Sequence, residues 1–177
     1  MKKLLIILAL VASAHAKPNN DWYVGFGFFS GEGELSASGG TSLFDSSGAD
    51  IKFGVIFDTG NRFEFSALEV DVDYAGSTEV VKGRDFDWIF TGTLNNEKSI
   101  FLAFVSAGFG TYSSNLFDSD GYSAQAALGG YIRLYDVLEF EISYKEKVIA
   151  WGDSTSPAAT SISHQMANYY FGAKYKF

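Results

Sequence analysis

The chain offers few residues that could do acid–base or nucleophilic chemistry. It has no cysteine and two histidines, His15 and His164. That removes disulfides, zinc–thiolate sites and thiol catalysis. Ser161 and Ser163 stand close to His164, and a serine hydrolase needs a histidine base beside its nucleophile. Alternation sets His164 with Met166 and Asn168, on the opposite side from Ser163. Carboxylates are more plentiful. Glu69, Asp71, Asp73, Asp85 and Asp87 share one parity on neighbouring segments. Oxygen ligands suit calcium, but the spacing of a calcium loop is absent. Pairing Tyr74 with Phe86 would set Asp73 opposite Asp87, a destabilising like-charge pair. These acids therefore read as an interior acidic cluster of Asp71, Asp73, Asp85 and Asp87, standing in water above a bilayer or balanced by Lys145 and Lys147. No metal, cofactor or catalytic residue is expected.

The elements that position these residues follow from periodicity. Leu138, Phe140, Ile142 and Tyr144 alternate with Glu139, Glu141, Ser143 and Lys145. Tyr169, Phe171, Ala173, Tyr175 and Phe177 alternate with Tyr170, Gly172, Lys174 and Lys176. Six further stretches repeat the pattern, and period 2 means strand. One strand changes phase. Phe63, Phe65 and Ala67 hold one parity, then Leu68, Val70, Val72 and Tyr74 the other, so a β-bulge near Ala67–Leu68 is expected. Short turns at 59–61, 95–99 and 135–137 alternate with longer connections at about 30–48, 75–84, 113–120 and 148–162. The first turn would set Phe57 opposite Phe63 and Asp58 opposite Arg62. The third would set Leu134 opposite Leu138 and Arg133 opposite Glu139.

Eight alternating strands close naturally into a barrel, which removes exposed edges. The mixed face carries Glu64, Glu139, Glu141, Arg133, Lys174 and Lys176 with many glycines, which suits a crowded interior. The apolar face is nearly uncharged, with aromatics at its ends: Trp22, Tyr135, Tyr175 and Phe177 at the short-turn end, Phe86, Trp88, Tyr122 and Tyr144 at the other. Such girdles mark membrane interfaces. The expected fold is all-β, an eight-stranded antiparallel up-and-down transmembrane β-barrel. The competing solution is a soluble secreted lipocalin-like binding barrel with the faces reversed.

Lys2 and Lys3, the apolar run Leu4–Val11 and Ala14-His15-Ala16 read as a signal peptide over 1–16. Residues 17–177 then form the barrel domain. Two lysines leave with the peptide, taking the net charge from −8 to −10. This acidity argues against nucleic acid as a partner.

At this point the sequence resembles the small outer-membrane β-barrel proteins of Gram-negative bacteria, of the OmpA-transmembrane-domain and OmpX type. The most specific piece is the final run Tyr169, Phe171, Ala173, Tyr175 and Phe177. The resemblance implies that Tyr169, Phe171, Tyr175 and Phe177 form a signal read by the barrel-assembly machinery. It also implies short turns in the periplasm, long loops outside the cell, and outer-membrane lipid and lipopolysaccharide as surroundings. The absence of a peptidoglycan-binding domain leaves out the OmpA anchoring role. Enzymes on this architecture act on lipid A or surface peptides, but Ser163-His164-Gln165-Met166 lacks the His-x-Ser pattern of the lipid A deacylases.

An eight-stranded barrel is just wide enough for side chains to fill, so the interior is expected to be plugged and not open to diffusion. Buried charges demand partners, and the expected interior ion pairs use Asp58, Arg62, Arg133, Glu139, Glu141, Lys174 and Lys176. The alternative use of those charges is a narrow ion-conducting path. The expected role is that of a monomer with a structural or adhesin-like task, meeting a host or surface ligand at loops 30–48 and 148–162.

Overall fold

The computed structural model describes residues 21–37, 40–57, 59–74, 77–93, 100–115, 117, 120–134, 137–152 and 162–177. Eight strands run in chain order: β1 (Asp21–Ala37), β2 (Gly40–Ile56), β3 (Arg62–Tyr74), β4 (Ser77–Thr93), β5 (Phe101–Ser114), β6 (Gly121–Leu134), β7 (Leu138–Trp151) and β8 (Ile162–Lys176). Each pairs antiparallel with its sequence neighbour, and β1 pairs with β8 to close the barrel. Closure leaves no unpaired edge, which is how a sheet satisfies its backbone in lipid.

The register fixes the barrel's shape. A walk across the strands runs from Trp22 through Val55, Phe63, Trp88, Ala107, Ala126, Glu146 and Ala167 to Glu32. It returns to β1 ten residues beyond its start. With a rise of about 3.3 Å per residue and a spacing of about 4.8 Å, that stagger tilts the strands by roughly 40°.

Side chains sort by height. At the end carrying Asp21 and Phe177, here the lower end, the outer face is apolar. Phe26, Phe28, Phe53, Phe65, Trp88, Val105, Phe109, Leu128, Ile142, Phe171 and Tyr175 all stand exposed there. A stretch such as Phe101–Phe109 climbs roughly 20 Å at this tilt, close to the apolar band of known transmembrane barrels. No helix long and apolar enough to cross a membrane occurs among the described residues, so crossing falls to the strands.

Above the band the arrangement inverts. Glu69, Asp71 and Asp73 of β3 point outward, while Leu68, Val70 and Val72 point inward and are buried. They join Phe44, Val81, Tyr112, Ile149, Trp151 and Met166 in an apolar core. The lower barrel has lipid outside and charge inside. The upper barrel has water outside and oil inside, as in a soluble protein.

This inversion corrects the bulge expected near Ala67–Leu68. β3 pairs without interruption, Ala67 with Ile51 and Leu68 with Asp50. The backbone never changes phase; the solvent does. Two expected connections are also strand. Residues 30–37 and 40–48 pair across one hairpin, and β4 begins at Ser77. Their Gly, Ser and Asp content reflects a wall that faces water. The strands likewise claim 113–114 and 148–151.

Registers at the turns were partly as expected. Arg133 pairs with Glu139 and Leu134 with Leu138. At the first turn Ile56 pairs with Arg62 and Val55 with Phe63, not Phe57 with Phe63. Gly60 at φ 82° makes this shifted bend possible, and its N–H donates to Phe57 O at 2.8 Å. Asp58 and Tyr135 lie outside the described residues.

Candidate functional site

The chemistry-bearing side chains converge inside the barrel, in layers. Lowest is an apolar and aromatic floor of Ile89, Leu102, Phe104, Ala127 and Tyr131. Arg62 lies on it, with its guanidinium 4.2 Å from the Tyr131 ring centroid. Arg62 Nη1 and Nη2 meet Glu139 Oε2 and Oε1 at 2.5 and 3.2 Å, a two-pronged contact. Arg133 Nε reaches Glu139 Oε1 at 3.3 Å from the rim.

The next layer is a four-membered ring of charge. Lys174 Nζ lies 2.5 Å from Glu64 and 2.9 Å from Glu141. Lys52 Nζ lies 3.0 Å from Glu64 and 3.2 Å from Glu141. Tyr23 Oη donates to Glu64 at 2.8 Å. All four charged groups are buried. Such charges are tolerable in a low-dielectric space only when paired and hydrogen-bonded.

Higher still, Lys145 pairs with Asp87 at 3.0 Å and Lys147 with Asp85 at 2.7 Å. Gln125 Nε2 donates to Asp87 at 2.7 Å and Tyr112 Oη to Asp85 at 2.6 Å. Tyr170 Oη donates to Asp50 at 2.6 Å. A cavity of about 20 Å³ remains between Asp50, Asp85, Lys145, Lys147 and Tyr170, room for one water. The apolar core of the upper barrel stands directly above.

Two glycines make space for this network. A Cβ on Gly27 would collide with the Tyr170 hydroxyl, and one on Gly54 with the Tyr23 ring. Glycine inside a strand here marks a close approach of a side chain.

His164 sits in the upper core, 1% exposed. Its Nδ1 accepts the Trp151 indole N–H at 3.0 Å, and Nε2 lies 2.8 Å from Tyr74 Oη. Accepting on Nδ1 fixes the neutral tautomer with its proton on Nε2, directed at Tyr74. Burial pulls the imidazole down to about 4 and, with Glu79 nearby, pushes the Tyr74 phenol up to about 12. Ser163 neighbours His164 on the opposite face of β8, and Ser161 lies outside the described residues. This geometry packs an imidazole; it does not arm a nucleophile.

The acidic cluster does not assemble. Asp71 and Asp73 are on the outer wall, and only Asp85 and Asp87 are inside, each beside a lysine. Asp73 pairs with Thr78, and Asp87 with Glu64. Pairing of Tyr74 with Ser77 replaces the expected pairing with Phe86, because β4 starts well before it. Among the described residues no group of three or more His, Asp or Glu is placed to hold a metal.

Among the expected ion-pair residues that are described, Lys176 is the outlier. It meets Asp21 at 3.2 Å on the lower rim, away from Glu139 and Glu141. Trp22 lies at the lower end as expected. Tyr144 and Tyr169 close the upper edge of the apolar band, with ring centroids 5.5 Å apart. Trp88 is not at that upper edge. It pairs with Phe63, near the start of β3, and packs on Phe63 and Phe90. Phe171 and Tyr175 face outward in the band. Sequence reasoning gave Asp50, Lys52, Tyr23, Tyr112, Tyr131 and Tyr170 no place in the interior network. All share the inward parity, so counting tyrosines on the mixed face was the signal that could have found them.

No protein-family model matches this chain, and no curated protein matches it. Solved structures do. Neisserial surface protein A is 13% identical with a TM-score of 0.58, over 88% of this chain and 97% of that one. The outer membrane protein OprG from Pseudomonas aeruginosa is 13% identical with a TM-score of 0.54, over 91% and 97%. The outer membrane protein AlkL, solved in lipid bilayers, is 14% identical with a TM-score of 0.58, over 92% and 94%. Inverted faces, closed register and these likenesses agree: the fold is that of the small eight-stranded outer-membrane β-barrels.

Proposed function

We propose that this chain is an integral outer-membrane protein whose barrel is a closed scaffold, and that its task is performed at the cell surface and not through a pore. The observation that carries the reading is the interior itself. Paired charges fill the lipid-embedded half, and an apolar core closes the half above it. Residues 1–16 act as the export signal, and Tyr169, Phe171 and Tyr175, outward on β8, serve the assembly machinery together with Phe177 just beyond it. The upper end faces out of the cell. A surface ligand would then meet the upper walls, 30–37 and 40–48, and the 148–162 region, of which 153–161 lies outside the described residues. The role is non-catalytic, since His164 is sealed among aromatic rings.

Outer-membrane fractionation with a heat-modifiable shift on a detergent gel tests the membrane assignment. A soluble, unshifted protein would instead favour a secreted barrel. For the surface role, replacing 153–161 by a short turn, which spares the strand ends and the core residues Ile149 and Trp151, should leave the shift intact and abolish cell attachment. Attachment that survives the replacement counts against the adhesive role.

A further inference from the structure

Among the described residues, every lysine and arginine but one has a carboxylate partner. The exception is Arg84. It is exposed on the outer face of β4, and its side chain makes no ion pair or hydrogen bond among the described residues. Water can satisfy an exposed guanidinium, so the meaning of this one lies in its position.

Three outward rows cross β3, β4 and β5 at this point. The lowest is Phe65, Phe86 and Phe109, the next Ala67, Arg84 and Thr111, the third Glu69, Lys82 and Ser113. The phenylalanines are exposed, and those of β4 and β5 have ring centroids 5.6 Å apart. They are the top of the apolar band on this side. Arg84 stands two residues, about 5 Å, above Phe86 at the barrel's tilt. The same arithmetic around the barrel puts it roughly 2 Å above Tyr169 and 6 Å above Tyr144, at headgroup level. Its neighbours in the row are short, so the guanidinium is open on both sides. The nearest outward carboxylate, Glu69, is taken up by Lys82 at 3.7 Å. Above lies a hollow of about 360 Å³ lined by Glu69, Val80, Lys82, Ser113, Ser114 and Asn115.

A free guanidinium directly over an aromatic row suits one kind of partner. Its planar fork matches two oxygens of a phosphate, and the lipid below weakens competition from water. Thr111 offers a hydroxyl beside it. The polar hollow above suits the hydroxyls of a sugar, which a simple glycerol phospholipid does not carry. In the membrane reading the upper leaflet is lipopolysaccharide, whose lipid A joins a phosphorylated glucosamine pair to acyl chains. We infer that Arg84 is the anchor of a binding site for one lipid A phosphate, with the sugar in the hollow and the acyl chains over Phe65, Phe86 and Phe109. The inference rests on the membrane reading above.

The full barrel in mild detergent with chelator would be mixed with lipid A, with enzymatically dephosphorylated lipid A, or with phosphatidylglycerol, and retained lipid counted by native mass spectrometry. The wild-type protein should retain lipid A about tenfold better than either of the others. Arg84→Gln should remove that preference. Arg84→Lys, which keeps the charge and loses the fork, should keep about a third of it. Lys176→Gln at the lower rim should change nothing. A heat-modifiable gel shift checks that each variant is folded. A folded Arg84→Gln that retains lipid A like the wild type overturns the site, as does equal retention of the dephosphorylated lipid or of phosphatidylglycerol. Retention that appears only when magnesium replaces the chelator overturns it too, since carboxylates such as Glu69 and Asp71 would then hold the phosphate through the metal. In each of these cases the membrane reading stands. A wild-type chain that neither shifts on the gel nor fractionates with the outer membrane overturns both.

Discussion

At the scale of single residues, the interior is a set of commitments that cannot be broken one side at a time. Arg62 and Glu139 are 1% and 0% exposed. Glu139→Gln would strand a buried guanidinium, at a cost of about 3–5 kcal/mol. Urea unfolding in micelles, followed by gel shift, measures this. Glu69→Gln on the water-facing wall should change stability by less than about 0.5 kcal/mol. Gly27→Ala should displace Tyr170 from Asp50 and cost about 1–3 kcal/mol in the same assay. His164 gives a pH dependence with a definite sign. Its folded value, about 4, lies below the ordinary 6.5. As pH falls through 6.5 the unfolded chain takes a proton that the folded one refuses, so stability is full above 6.5 and drains toward pH 4. At about 1.4 kcal/mol per unit, the loss approaches about 3 kcal/mol. His164→Gln, which can still accept from Trp151 and donate to Tyr74, should flatten the profile over that interval. An unchanged profile would place the acid sensitivity elsewhere.

Strands show where sequence reading succeeds and where it stops. The lower halves were legible because lipid imposes a uniform outer face, and alternation against Glu, Lys and Gly gave the inward parity of Glu64, Glu139, Glu141 and Lys174. The Leu134–Leu138 turn was legible because its loop is too short for another register. The upper halves were not. Residues 30–37 and 40–48 are rich in Gly and Ser on two paired strands whose outer face is wet, a composition that looks like loop. β3 misled for the same reason: its apolar residues switch parity where the surroundings switch, at Ala67–Leu68, with no irregularity of the chain. That boundary predicts opposite responses along one strand. Phe65→Arg, facing lipid, should cost about 2–4 kcal/mol. Asp71→Arg, facing water six residues later, should cost close to nothing. Equal costs at the two sites would move the membrane edge.

At the scale of the whole molecule, a ten-residue stagger over eight strands sets a bore that paired side chains fill from wall to wall. Purified protein in planar bilayers should therefore show no large, stable conductance, and a persistent open channel would contradict the packed interior. The two-part interior has another consequence. Lys82, 69% exposed, stands on the outer wall above the lipid, and Lys176 stands at the lower rim. Lys52, Lys147 and Lys174 lie between the floor and the upper core, each at most 6% exposed. An amine-reactive reagent would label Lys82 within the reagent's own reaction time, with Lys176 held back by its pairing to Asp21. It would reach the inner three only when the barrel comes apart, so their slow labelling would time global unfolding in an intact membrane, without denaturant.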